Sequence, residues 1–128
     1  PRVKTVNDYA GLGDHRIAVP AAAVSTQAVV LRMAAEKTFG VGQHHRLDEM
    51  VAAMPHPSAA AAIVAGRQAV KTHIATPPYS FREMASGKGR VIATSYDFVG
   101  GPHSSVVLFA TQKWMPRTRS PSGATFMM

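Results

Sequence analysis

Apolar residues in this chain fall into short continuous runs, typical of buried strands, and into stretches with helical spacing. Residues 16–20 form the first apolar run, and its closing proline ends the strand because proline has no backbone N–H to donate. Ser25 or Thr26 is suited to cap the helix that follows, since a side-chain oxygen there accepts a hydrogen bond from a first-turn amide. Helical spacing then continues to about Thr38 through Val29, Val30, Met33 and Ala34.

The same alternation of strands and helices continues to residue 111. A second strand is predicted over residues 50–53, and an Ala-rich helix should begin with Pro57 and end at Gly66. The remaining predictions are a strand over 70–75, a helix over 79–85 with Phe81 and Met84 inward, an apolar run at 90–94, a Gly-rich loop at 97–103 and a last strand over 104–111. This order indicates an α/β fold with a mostly parallel sheet flanked by helices on both faces.

The length of 128 residues fits one modest domain, which would bury roughly two-thirds of its unfolded surface on folding. We expect residues 1–115 to form a single α/β domain. Residues 116–128 are rich in Pro, Ser and Arg and lack periodicity, so they predict an irregular tail.

The net charge of +7 and the isoelectric point near 10.4 raise the question of a nucleic-acid partner. The basic residues are dispersed along the chain, however, and aromatic residues do not alternate with them as a base-stacking surface requires. We therefore expect no nucleic-acid partner. A general attraction for anions remains.

The absence of cysteine excludes disulfides, thiolate metal sites and cysteine nucleophiles. No signal-peptide pattern and no apolar stretch of membrane-spanning length occurs, so we expect no membrane insertion. Any export signal would lie upstream.

Ligands of open α/β sheets collect beyond the carboxyl ends of the strands, where loops meet helix N-termini. Three segments have this position, and we expect them to share one rim: Ser25, Thr26 and Gln27; Thr76, Pro77 and Tyr79; and Gly100, Gly101, His103 and Ser104. Free amides and the helix dipole at the first favour a small oxyanion, the second offers a rigid turn, and the glycines of the third allow close backbone approach. Their simpler interpretations are a helix cap, a tight connection and a plain loop, and the residue pattern alone favours the cap.

The six histidines do not show the spacing of a metal site. His44 and His45 are adjacent and would point to opposite sides of an extended chain, whereas His56 and His73 are better explained as hydrogen-bonding groups that order strand ends. Neither a nucleophile elbow nor a pair of carboxylates in one loop is present. The residues therefore predict no metal, no cofactor and no catalysis.

Several short segments occur in an informative order: GDHRIAVP from Gly13, PHPSA from Pro55, IVAG ending at Gly66, THIATPP from Thr72, SY at Ser95 and GGP from Gly100. Members of the nitrate, sulfonate and taurine branch of the periplasmic substrate-binding proteins of ABC importers carry similar segments in this order. The chain resembles that family from about Leu12 to Met115. Its residues after 115 do not resemble the helix that normally follows in the family.

This resemblance implies one lobe of a type II periplasmic-binding-protein fold, with the second lobe missing. It further implies a non-catalytic solute receptor that binds a small anion such as a sulfonate, taurine or nitrate, works with an ABC permease and is periplasmic or lipid-anchored. It also implies ligand contacts in the turn at Ser25, beyond a capping role. The alternative is an enzyme on the same scaffold, for thiamin-pyrimidine synthesis or sulfinate chemistry, although the chain lacks the cysteine that the sulfinate enzymes use.

Overall fold

A computed structural model describes residues 3–66, 70–104, 107–109 and 111. The regular elements in these ranges are β1 (Ile17–Val19), α1 (Thr26–Phe39), β2 (Val51–Ala53), α2 (His56–Val64), β3 (Thr72–His73), α3 (Tyr79–Ala85) and α4 (Tyr96–Val99). Short 3-10 helices at Val6–Tyr9 and Asp48–Met50 precede β1 and β2. Within this part of the chain no helix is both long and apolar enough to cross a bilayer.

The described strands form one parallel sheet in the order β2-β1-β3. Ile17 lies opposite Val51 on one side and Thr72 on the other. Parallel neighbours need crossover connections, and α1 and α2 supply them. The predicted α/β class with a parallel sheet is confirmed.

The helices cover both faces of the sheet because neighbouring residues of β1 point in opposite directions. Ile17 is 1% exposed and packs in a cluster with Leu31 and Ala35 of α1. Ala18, the next residue, packs in a second cluster with Ala59 of α2. The prediction of helices on both faces is therefore also confirmed.

The N-terminal 3-10 helix closes the α1 face at the edge strand β3. The Tyr9 hydroxyl lies 2.6 Å from Thr72 Oγ1, and His15 Nε2 lies 3.2 Å from the same oxygen. These hydrogen bonds join residues about sixty positions apart in the sequence. No sequence pattern had assigned a partner to this segment.

The inward face predicted for α3 is wrong. Phe81 and Met84 are 61% and 42% exposed, whereas Tyr79 and Glu83, four residues apart on the other face, are half-buried. The buried face is polar because a histidine of β3 binds Glu83. A local count of apolar residues could not show that partner.

Two predictions downstream of α3 are also wrong for the residues that the structure describes. Residues 90–94, 104, 107–109 and 111 form no strand, and Leu108 is fully exposed, because no other described strand runs beside them. The predicted loop begins instead with the short helix α4, where the Asp97 carboxylate accepts hydrogen bonds from the Thr94 amide and hydroxyl at 2.6 and 2.9 Å. The proposed tail, residues 116–128, lies outside the described residues.

Candidate functional site

The carboxyl edge of the sheet is where the chain leaves each strand and begins the next helix. After β1 it enters α1 on one face, and after the adjacent strand β3 it enters α3, which packs beside α2 on the other face. Neighbouring strands whose connections leave in opposite directions create the crevice in which α/β proteins bind ligands. The junction between β1 and β3 is therefore the candidate site.

Ser25 caps α1 with its side chain. Its hydroxyl donates to the Ala21 carbonyl at 2.6 Å and accepts from the Ala28 amide at 3.2 Å. Both contacts are internal to the turn, so the hydroxyl acts first as a helix cap. Thr26, the next residue, is exposed.

Gln27 and Thr76 meet at one histidine between β1 and β3. His56 is the first residue of α2, and its Nε2 lies 3.2 Å from Gln27 Nε2 and 3.4 Å from Thr76 Oγ1. The Tyr79 ring stacks on the same imidazole with 5.5 Å between centroids and 19° between planes. Two of the predicted segments are thus brought together, while Pro77 remains an exposed turn residue beside them.

Behind this contact a second histidine and a carboxylate extend the hydrogen bonds into the interior. His56 Nδ1 lies 2.8 Å from His73 Nε2, and His73 Nδ1 lies 2.5 Å from Glu83 Oε1. The His73 side chain is fully buried and that of Glu83 is 12% exposed. We call Glu83, His73 and His56 the histidine chain.

The direction of each hydrogen bond follows from the carboxylate, because an ionised Glu83 can only accept. His73 donates from Nδ1 to Glu83, so the Nε2 of the neutral His73 ring accepts from His56 Nδ1. His56 Nε2 then accepts from the Gln27 amide and the Thr76 hydroxyl. Every ring nitrogen of the histidine chain has a partner when both rings are neutral.

Burial, followed by repulsion from His73, lowers the pKa of His56, while attraction by Glu83 opposes this change. The outer imidazole therefore resists carrying a positive charge of its own.

The third predicted segment lies elsewhere. Asp97 of α4 accepts a hydrogen bond at its carbonyl from Lys37 Nζ at 2.7 Å, in the last turn of α1. Lys37 is about 18 Å along the helix axis from Ser25, since each helical residue advances about 1.5 Å. Gly100 ends α4 in a left-handed conformation with φ of 101°.

The residues after Gly100 stay close to α4. The His103 ring packs edge-on against Tyr96 with 5.0 Å between centroids, and its Nδ1 lies 3.0 Å from the Gly101 carbonyl. Ser104 is exposed. The expectation of one rim shared by all three segments is therefore wrong for Gly100, Gly101, His103 and Ser104.

Two surface cavities lie away from the histidine chain. The smaller, about 150 Å³, includes Arg32 and Asp48, but the guanidinium donates to that carboxylate through Nε and Nη2 and its charge is already balanced. The larger, about 410 Å³, lies between the first 3-10 helix and α4 and includes Asp97, whose carboxylate would repel an anion. Neither offers the converging neutral donors that the junction has.

Sequence reasoning missed the histidine chain although it had singled out both of its histidines. The available signals were alternation in β3, which places His73 on the face opposite Thr72, and the four-residue spacing of Tyr79 and Glu83 on α3. In the described part of the chain no group of three or more acidic, histidine or cysteine side chains could hold a metal ion. Comparison with models of protein families, with curated proteins and with solved structures finds no match to this chain.

Proposed function

We propose that this chain is the anion-binding lobe of a solute receptor of an ABC importer, with a type II periplasmic-binding-protein fold. The observation that carries the proposal is the convergence of Gln27 and Thr76 on His56 at the junction between β1 and β3. The ligand would be a small anion such as a sulfonate, taurine or nitrate. Binding would be without catalysis, in the periplasm or on a lipid anchor, and an ABC permease would be the partner.

Two helix N-termini support an anion at this edge. α1 and α2 have 14 and 9 residues, and both begin where the chain has just left a strand. The first amides of a helix lack internal acceptors and carry the positive end of the helix dipole. Ser25 occupies one amide of α1 at Ala28, so the amides of Thr26 and Gln27 are the ones that face a ligand.

A single lobe offers only one wall of a binding cleft, so the isolated chain should bind weakly, with a Kd of about 1 mM. An opposing lobe would supply the remaining contacts and close over the ligand by a hinge motion. The chain's positive charge favours the approach of anions to this wall.

The test is an NMR titration of the chain with methanesulfonate, taurine and nitrate, with chloride at equal ionic strength as the control. The amides of Thr26, Gln27 and Thr76 should shift with saturation, and those of Gly100 and Gly101 should not. Gln27→Ala should weaken binding, while Gln43→Ala, an exposed glutamine in a loop, should leave it unchanged. Sub-micromolar affinity would contradict a half-site, and shifts spread over the surface lysines would contradict a site at this edge.

The histidine chain favours one competing function, that of an acid–base enzyme on the same scaffold. A carboxylate that orients a histidine is the arrangement of a general base. The two functions differ in turnover, because a receptor returns its ligand unchanged. NMR spectra of taurine and methanesulfonate after prolonged incubation with the protein should show no product, and a new product would favour the enzyme.

A further inference from the structure

We infer that His56 contacts the bound anion through its Nε2–H, and that binding takes up one proton, held on His73 beside Glu83. This inference rests on the proposed anion site at the junction of β1 and β3. It assigns a direct ligand contact to a histidine that the sequence only suggested as a hydrogen-bonding group. Protonation of the histidine chain would thereby change His56 Nε2 from a hydrogen-bond acceptor into a hydrogen-bond donor.

Without the extra proton, the outer end of the histidine chain is unsuited to an anion. His56 Nε2 carries a lone pair, and the Gln27 amide and the Thr76 hydroxyl donate hydrogen bonds to it at 3.2 and 3.4 Å. An anion placed here would meet a lone pair and two donors that already have an acceptor. In this state the hydrogen bonds are satisfied internally, and neither side-chain donor is left for an anion.

One added proton reverses the hydrogen bond between His56 and His73 and makes His56 Nε2 a donor, while the bond from His73 to Glu83 keeps its direction. His73 becomes an imidazolium that donates from Nδ1 to Glu83 and from Nε2 to His56 Nδ1, so the neutral His56 ring must carry its hydrogen on Nε2. Gln27 and Thr76 then lose their acceptor. Three hydrogen-bond donors converge on the same point, which is the requirement of an oxyanion.

The charge is best placed at the inner end. The His73 side chain is fully buried 2.5 Å from a carboxylate that is itself only 12% exposed, and a buried charge is costly without an opposite charge nearby. The anion therefore meets a neutral donor, with the cation one ring behind it. The low pKa of His56, caused by burial and then by His73, restricts the pair to one proton.

Among the described residues, few other charges reach the His56 ring. α1 presents Gln27 and has no acidic residue in its first turn, and β3 presents His73. α3 presents Tyr79 and, through His73, Glu83, whereas Arg82 of the same helix is exposed. No other charged residue is present on α2. Proton uptake at this site is thus decided by the histidine chain itself.

The first test is the tautomeric state of both rings, read from long-range nitrogen–proton NMR spectra of the chain without ligand. At high pH both rings should carry hydrogen on Nδ1 only. As the pH falls, His73 should become doubly protonated and His56 should change to the Nε2–H form. A His56 ring that carries Nε2–H at high pH, or that becomes the imidazolium, would overturn the inference.

The second test is the pH dependence of methanesulfonate affinity. Affinity should fall by up to about tenfold for each pH unit above the pKa of the chain, because binding requires a proton. His56→Gln supplies a donor that does not titrate, so its affinity should be independent of pH. His45→Gln is the matched control, since His45 is 64% exposed and binds Asp48 elsewhere, and it should keep the wild-type pH dependence.

Glu83→Gln tests the inner end of the chain. A carboxamide oxygen still accepts from His73 but carries no charge, so proton uptake and anion binding should both move to lower pH. Wild-type affinity for methanesulfonate that is equal at all pH values would refute proton coupling but not the anion site. The same holds for a pH dependence that remains in His56→Gln. If methanesulfonate perturbs no amide at this edge at any pH, the site and the coupling both fail.

Discussion

The hydrogen bond between Tyr9 and Thr72 fixes the N-terminal segment to the sheet, and its removal should destabilise the whole domain. Tyr9 is 4% exposed and its hydroxyl lies 2.6 Å from Thr72 Oγ1. Burial raises the pKa of Tyr9 and lowers that of His15, so both groups stay neutral near pH 7. Thr72 Oγ1, which also lies 3.2 Å from His15 Nε2, can donate to one of these two groups and accept from the other, so both hydrogen bonds form at once.

Thr72→Val keeps the shape of the side chain and removes both hydrogen bonds. A buried hydroxyl and a buried ring nitrogen would be left without partners, which costs about 1–3 kcal/mol of unfolding free energy. Tyr9→Phe removes one donor and leaves Thr72 paired with His15, so it should cost about 0.5–1.5 kcal/mol. In the double variant the Tyr9 hydroxyl is absent and is no longer left without a partner. The loss of unfolding free energy in the double variant should therefore be about 1 kcal/mol smaller than the sum of the two single losses.

Urea unfolding followed by circular dichroism measures each free energy, with a constant m-value as the check on two-state behaviour. Tyr96→Phe is the control, because Tyr96 is 50% exposed, and it should change stability by about 0.5 kcal/mol or less. Losses for Tyr9→Phe and Thr72→Val that add to within about 0.3 kcal/mol would show that the hydrogen bond contributes no coupling. That result would refute its proposed role in fixing the N-terminal segment.

Two further predictions concern pH and helix capping. Burial, followed by repulsion from Lys71, lowers the pKa of His15, so the folded chain binds fewer protons than the unfolded chain, whose histidines titrate near 6.5. The stability from a neutral His15 is present above about pH 6.5 and is lost as the pH falls. The urea midpoint should therefore decrease less on acidification in His15→Asn than in the wild type. An equal decrease in both proteins would argue against this role. Ser25→Ala should cost about 1 kcal/mol by removing the α1 cap, while Thr26→Ala, at an exposed site, should cost little in the same assay. Equal losses at the two positions would contradict the observed cap.

The elements that sequence predicts best are those with local signals at both ends. Ser25 or Thr26 was expected to cap α1, and Ser25 does so; the helix ends at Phe39, one residue beyond the predicted end near Thr38. β1 lies inside its predicted run because Ile17, Ala18 and Val19 are all buried. Caps and short apolar runs depend on neighbours in the sequence, so they can be read without the fold.

The buried face of α3 and the histidine chain could not be predicted in this way. Phe81 and Met84 are the exposed apolar residues of that helix, whereas Glu83 faces inward beside Tyr79, because it binds His73 of β3. A polar contact of this kind depends on tertiary placement, which overrides the local pattern. The sequence predicted that Gln27 and Thr76 would lie at one edge, and the structure brings both to His56, but the hydrogen bonds from His56 through His73 to Glu83 could not be predicted.

Small residues explain why the histidines meet where they do. Ala18 in β1 and Ala59 in α2 are both fully buried against each other, and such short side chains let a helix lie close to the sheet. Because α2 lies close to the sheet, its first residue, His56, reaches the end of β3 and contacts His73 at 2.8 Å. A larger residue at position 59 would lift the helix, lengthen this contact and leave His73 buried with only one partner. The alanine-rich sequence of α2, which by itself indicates only a helix, thus determines the geometry on which the proposed proton uptake and anion binding depend.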